Sequence, residues 1–237
     1  MKRMIGILLA GLALVGCGGG EASVDEAETS RATSGSESAR GRDDGVAITG
    51  LMGTIERGQV ESTLNPRMGR FMRCFSQRMG DVEYLAGEIR MSFRIHTDGS
   101  VAWVFPTDSD IGDREAERCI LDVARSARFP RPRGGEAEFS WGFGLDAAED
   151  VRPPLNWSAE ALGERSGDVS GLARQCGARA SYRVTAYIAP GGAVQAVGGT
   201  MPSAEDEQTL ECILEQVRAW EMPDPGSYAA KITFEVR

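Results

Sequence analysis

The chain writes one stretch twice. Cys119-Ile120-Leu121-Asp122-Val123-Ala124-Arg125, followed by Phe129-Pro130-Arg131-Pro132, returns 93 positions later as Cys212-Ile213-Leu214-Glu215-Gln216-Val217-Arg218, followed by Met222-Pro223-Asp224-Pro225. The offset of 93 holds without a gap from Ile89/Tyr182 to Phe143/Val236, with 14 identities in 55 pairs, among them Gly99/Gly192, Val101/Val194 and Asp113/Asp206. A cysteine, an Ile-Leu pair, an arginine and a Pro-x-Pro in one register mark a duplicated domain. The second copy is therefore expected to repeat the element order of the first.

A length of 237 residues allows one or two domains, and 41% hydrophobic content is enough for a core. Of the 26 basic residues only Lys2 and Lys231 are lysines; the rest are arginines. The net charge of −9 argues against nucleic acid as the partner, and removing Lys2 and Arg3 would take it to −11. The cysteine count is five, an odd number that calls for an explanation.

The N-terminus supplies one. Met1-Lys2-Arg3 is a short basic start, and residues 4–15 are an apolar run too short to span a membrane. The run ends in Leu14-Val15-Gly16-Cys17. This resembles the lipobox of bacterial lipoproteins, which implies a signal peptide over 1–16, diacylglycerol on the Cys17 thiol and acylation of the new amino terminus. Several acyl chains together hold a protein durably to a bilayer. Gly18 is not Asp, which under a common sorting rule implies the outer membrane, with the chain facing the periplasm. Residues 17–45 are rich in Gly, Ser, Ala, Glu and Arg and cannot bury enough apolar surface to order themselves, so they read as a flexible tether. The remaining four cysteines fall two to each repeat. Beyond the inner membrane the compartment is oxidising, which makes disulfides the default.

Residues 46–55 are apolar and glycine-punctuated, a short strand or entry loop. Val60, Leu64, Met68, Phe71, Met72, Phe75 and Met79 then recur at helical steps, with Cys74 near the end. Pro66 either bends this helix or starts it, with Asn65 as the cap. Ile89, Met91, Phe93 and Ile95 alternate with polar residues as a half-buried strand, Asp98-Gly99 turns the chain, and Val101, Trp103 and Phe105 return until Pro106. Asp110 is expected to cap the next helix, whose apolar face includes Ala116, Cys119, Ile120, Val123 and Ala124 before Pro130 and Pro132. Phe139, Trp141 and Phe143 form a last strand. A linker over 146–166 carries Leu155, Trp157 and Leu162, so part of it should pack on a domain. The second copy repeats the order: a short helix over about 169–176, a strand at Tyr182, Val184 and Ala186, a turn at Pro190-Gly191-Gly192, a return strand at Val194 and Val197, a helix capped by Ser203, and a strand at Ile232, Phe234 and Val236.

The order helix, strand, hairpin, strand, helix, strand resembles the C-terminal domain of TonB-like proteins, and more closely the AgmX/PglI-type C-terminal domain. The matching stretches are Phe71-Met72-Arg73-Cys74-Phe75, Leu85-Ala86-Gly87, Asp98-Gly99-Ser100-Val101, Glu117-Arg118-Cys119-Ile120 and Arg128-Phe129-Pro130-Arg131-Pro132. The second copy joins the resemblance only through the internal repeat. The implied fold is α+β: two tandem small TonB-C-like domains, over 46–145 and 167–237, each a helix, β-hairpin, helix and strand with an antiparallel sheet. Domains of this kind commonly bind by pairing a strand to a sheet edge.

In each repeat one cysteine ends the first helix and the other lies in the second, and both helices must lay their apolar faces on one small sheet. Four cysteines allow three pairings. The duplication selects Cys74–Cys119 and Cys176–Cys212, each worth about 3–4 kcal/mol in a small domain. No catalytic constellation stands out. The one histidine, His96, sits on the polar face of a strand, the cysteine spacings do not resemble a zinc pair, and no phosphate-cradling loop follows a strand. Paired acids at Asp108/Asp110 and Glu205/Asp206/Glu207 lie where helix N-termini explain them. No cofactor is expected. Arg67, Arg70, Arg73 and Arg78 on the first helix are the candidate binding surface, for an acidic protein or a cell-wall carboxylate, or else a solvated face. The expected function is a non-enzymatic envelope lipoprotein that binds protein or peptidoglycan. The alternatives are a periplasmic hydrolase built on carboxylates alone and energy transduction, which a lipid anchor disfavours because it cannot reach an inner-membrane motor.

Overall fold

The computed structural model describes residues 53–237 apart from 148 and 164, so Cys17, the signal peptide and the tether lie outside the described residues. The first helical region divides at its proline: α1 (Arg57–Leu64), a 3-10 turn (Asn65–Arg67) with Pro66 in its first turn, and α2 (Met68–Ser76). There follow β1 (Gly87–Ile95), β2 (Val101–Ser109), α3 (Arg114–Arg125) and β3 (Ala137–Leu145). The linker contributes β4 (Leu155–Trp157) and a 3-10 turn (Ala159–Leu162). The second copy supplies α4 (Arg165–Gln175), β5 (Tyr182–Ile188), β6 (Val194–Gly199), α5 (Glu207–Arg218) and β7 (Ala230–Val236). The architecture is α+β, with sheets ordered β2-β1-β3 and β4-β7-β5-β6. All strand pairs are antiparallel except β4 with β7.

The duplication holds hydrogen bond by hydrogen bond. His96 N–H donates to the Ser100 carbonyl, and Ala189 N–H donates to that of Ala193. Both hairpins carry a register shift just before the turn, at Arg94/Ile95 and at Tyr187/Ile188. Gly99 and Gly192 both have φ +86, and a Cβ at either would stand 2.0 or 2.1 Å from the carbonyl oxygen of Phe129 or Met222. Phe129 N–H and Met222 N–H return the contact to the Gly99 and Gly192 carbonyls at 2.9 Å. The Pro-x-Pro stretch is thus laced to the hairpin turn in both copies, and no side chain fits at the contact. Cys74–Cys119 and Cys176–Cys212 are bonded as the duplication requires, with Cα atoms 5.6 and 5.7 Å apart.

Four local features differ from the sequence expectation. Asp113, not Asp110, caps α3, accepting the Ala116 N–H at 2.8 Å. Asp110 instead accepts the Glu88 N–H at 2.6 Å and the Lys231 ammonium at 3.3 Å. β2 runs past Pro106 to Ser109, because Pro106 falls at a register shift on an edge strand and has no ladder donor to lose there. α4 starts earlier than expected, at Arg165. Finally, β5 is buried on both faces rather than alternating.

The last difference follows from how the copies meet. Residues 53–237 lie within one compact unit. Tyr187 and Ala196 of the second copy belong to the first hydrophobic core, and Phe105 of the first copy belongs to the second core. The Tyr187 hydroxyl donates to the Ala86 carbonyl at 3.1 Å. Gly112 lies so close to β5 that a Cβ there would be 2.8 Å from Thr185 Cγ2.

At the centre of the seam Glu117 of α3 is fully buried. It accepts the Ser109 hydroxyl at 2.9 Å on Oε1 and the Gly199 N–H at 3.0 Å on Oε2. A Cβ at Gly198 would stand 2.7 Å from this carboxylate. Arg114, 3% exposed, donates from Nε to Glu211 at 2.7 Å and lies 3.3 Å from Glu207, and Arg118 reaches Glu211 at 2.8 Å. Arg114/Glu207 and Arg118/Glu211 are themselves positions 93 apart. Where two copies meet at equivalent positions, identical residues would oppose like charges; one arginine and one glutamate at each pair makes the contact attractive.

Loss of solvation pushes the Glu117 carboxyl up to about 7, against the pull of Arg114, the Gly199 N–H and the Ser109 hydroxyl. The folded protein holds this proton more tightly than the unfolded chain. The stabilisation is therefore complete below the ordinary value of 4.5 and fades as pH rises through about 7. Urea unfolding between about pH 4 and pH 8 should show the parent losing up to about 3 kcal/mol relative to Glu117→Gln over that window. A parent-minus-variant difference that ignores pH would refute the assignment. Gly99→Ala and Gly192→Ala should each destabilise by more than about 1 kcal/mol in the same assay, because both need positive φ and a bare Cα.

Candidate functional site

The two sheets differ at their outer edges. β2, one edge of the first sheet, faces the second copy, and the Pro106 carbonyl accepts the Met201 N–H at 3.2 Å. β3, the other edge, has no strand on its outer side among the described residues. Its equivalent in the second copy, β7, is covered at its start by β4, which pairs Leu155, Asn156 and Trp157 with Ala230, Lys231 and Ile232. Subtracting 93 places the corresponding positions at Ala137, Glu138 and Phe139. Just upstream of β3, Gly53 N–H donates to the Glu136 carbonyl and Thr54 bridges Arg133, so this pairing stops short of the strand.

Beside the open edge runs a groove of about 570 Å³. α1 supplies one wall with Val60 and Glu61, and β3 supplies the other with Phe139, Ser140, Trp141 and Gly142. The apolar side of β3 is anchored from below. Phe93 stacks on Phe139 at 4.9 Å, and Phe71 lies 5.0 Å from Phe143 and 5.6 Å from Trp141. Phe139, Trp141 and Phe143 are themselves only half-buried. A row of half-covered aromatics on a strand with no neighbour on its outer side among the described residues is a template for another extended chain.

Across Arg90 and Gly142 this groove meets a second one of about 520 Å³, between the copies. Glu88, Asp108, Asp110 and Arg183 line it. Arg183 is paired with Asp108, and Lys231 with Asp110. Burial pulls the Lys231 ammonium down from its ordinary value, with Asp110 opposing, and the ammonium also lies 5.5 Å from the Tyr187 ring centre.

The arginine series is divided by the structure. Arg78 is drawn into the fold: it bonds Asp113 at 3.0 and 3.1 Å, Asp81 at 2.6 Å and Glu115 at 2.8 Å. The Asp113 hydrogen bond is the main reason its pKa is raised. It therefore braces the residue that caps α3 instead of facing a partner. Arg67 is half-buried and donates to the Thr63 carbonyl. Arg70 and Arg73 are exposed, with Arg70 3.4 Å from the Ser126 hydroxyl. His96 is exposed beside the hairpin turn, its Nδ1 2.6 Å from Glu136. Asp206 accepts the Tyr182 and Ser203 hydroxyls, and Glu207 meets Arg114, so these acids are occupied structurally. Among the described residues no group of three or more His, Cys, Asp or Glu side chains could hold a metal ion, and no helix is long and apolar enough to cross a membrane.

Two features escaped the sequence reading. The open edge could have been suspected from the Leu155-Asn156-Trp157 linker, which has no counterpart pairing along β3. Glu117 could have been suspected as an acid on an apolar helix face where the second copy carries Leu210. No family model, no curated protein and no solved structure matches the chain.

Arg78→Gln should lower stability by about 1–3 kcal/mol, since it leaves the buried Asp113 without its charged partner. Arg73→Gln, at an exposed position, should stay within about 0.5 kcal/mol of the parent. Thermal unfolding of the two single variants distinguishes them.

Proposed function

We propose that the chain is a non-enzymatic envelope lipoprotein, lipidated on Cys17, whose first repeat receives an extended segment of a partner protein along the outer edge of β3. The observation that carries this reading is the contrast between the copies. β7 has β4 on its outer side, whereas β3 offers the corresponding edge next to a partly apolar groove walled by α1. The resemblance to TonB-like and AgmX/PglI-type domains supports it, as does the lipobox-like start. An outer-membrane anchor would hold the repeats in the periplasm, near both envelope proteins and peptidoglycan. A backbone-paired segment gains affinity from main-chain hydrogen bonds and specificity from the side chains that fall on the aromatic row.

The carboxylate hydrolase has one observation in its favour: Glu88 and Asp108 line a common groove from different strands. Asp108 and Asp110 are each committed to a cation, however, so peptide binding is the better use of the surface.

A photo-crosslinking residue at Ser140, on the exposed part of β3, tests the proposal in intact cells. It should form an adduct with one envelope protein, while the same residue at exposed Ser181 of the second copy should not. Absence of a Ser140 adduct, or identical adducts from both positions, would overturn edge docking.

A further inference from the structure

The charge of this chain is segregated. Residues 62–80 hold four arginines and no acid, and residues 123–135 hold another four and no acid, within a protein of net charge −9. The fold brings these runs together. The Cys74–Cys119 bond ties α2 to α3, and Arg70 reaches Ser126 just beyond the end of α3. Arg70, Arg73, Arg125, Arg128 and Arg131 are all exposed. Asp122 and Asp98 answer Arg125 and Arg128 through exposed ion pairs at 2.7 and 3.4 Å, which leaves the face with an excess of positive charge. On α2 Met72 stands one position before Arg73 and about 160° round the helix from Arg70, 45% exposed and the most exposed large hydrophobic side chain among the described residues.

The second copy acts as an internal control. At the positions of Arg128 and Arg131 it carries Glu221 and Asp224. Counting back from the helix cysteine, Leu172 and Gln175 replace Arg70 and Arg73. The common fold therefore does not require these arginines, and the cap-bracing role of Arg78 does not extend to them. The helix C-terminus accounts for Arg125 but not for residues beyond it.

We infer that this arginine face, with Met72 at its edge beside Arg73, rests on an anionic phospholipid surface. Guanidinium groups pair with phosphate in a two-pronged geometry, and an apolar side chain at the edge of the cations suits the boundary between headgroups and acyl chains. A lipid on Cys17 would keep the face near such a surface. This proximity rests on the lipoprotein reading, but the binding itself does not.

The experiment uses the full chain carrying Cys17→Ser, so that no lipid contributes. Vesicles with about one-third phosphatidylglycerol in phosphatidylcholine should co-sediment the protein, and phosphatidylcholine alone should not. Arg70→Gln, Arg73→Gln and Arg131→Gln together should weaken partitioning about a hundredfold, about fivefold for each arginine. Met72→Ser should weaken it severalfold with the charge unchanged. Arg174→Gln with Arg218→Gln, in the second copy, should leave it as it was. Near-UV circular dichroism verifies folding, and Arg131→Gln alone replaces the triple variant if that one misfolds. Equal binding to neutral vesicles, or undiminished binding by the arginine variants, overturns the inference. So does a Met72→Ser chain that binds like the parent, which would make the occupant an acidic protein. Failure here leaves the Ser140 crosslink untouched, so the two proposals fall separately.

Discussion

Glu117 organises the contact on which the rest of the molecule depends. Burying a carboxyl costs several kcal/mol unless its oxygens are satisfied, and here both are, by Ser109 of its own copy and Gly199 of the other. The second bond demands that the β6 backbone come within reach of the α3 side chain. Gly198 permits that approach, since any Cβ there would collide with the carboxylate. The equivalents of Gly198 and Gly199 in the first copy are Phe105 and Pro106, and the equivalent of Glu117 in the second is Leu210. The seam is therefore asymmetric by composition, and the acid has one backbone partner to find. Arg114 and Arg118 add to this selection by meeting Glu207 and Glu211.

The seam also decides which edges remain for partners. It places β2 beside the second copy, so β3 becomes the outer edge of the first sheet, and β6 likewise turns β7 outward. The second copy covers the start of that edge with β4 from the linker, while the first pairs only upstream of β3. The α1 wall and the aromatic row behind β3 give the open edge a shaped and partly apolar side. One duplicated plan thus carries two different edges, and the difference comes from a linker of about twenty residues, not from the repeat.

Much of this was legible in one dimension because the chain contains its own comparison. The Cys-Ile-Leu…Pro-x-Pro register identified α3 and α5, paired the cysteines and located Gly99 and Gly192 at the turns. Pro66 left a bend or a start of the helix open, and the structure puts helix on both sides of it, α1 before and α2 after. The arginine series was read as helical, yet only Arg70 and Arg73 lie in α2, with Arg67 in the 3-10 turn and Arg78 beyond the end of the helix. Arg78 meets Asp113 from 35 positions away, while Arg70 and Arg73 face outward. Asp110 was expected to cap α3, but the Glu88 N–H and Lys231 claim it, and Asp113 caps the helix instead.

What the sequence determined by itself was local and periodic: the order of helices and strands, the turns that need glycine, and the disulfides that a duplication makes unambiguous. These depend on neighbours a few residues apart, or on one copy read against the other. Only the tertiary structure decided that β5 is covered on both faces, that a glutamate lies at the centre of the seam, and that β3 has no strand on its outer side among the described residues. Each of these rests on groups far apart in the chain, such as Glu117 and Gly199 at a separation of 82, whose meeting no local periodicity encodes.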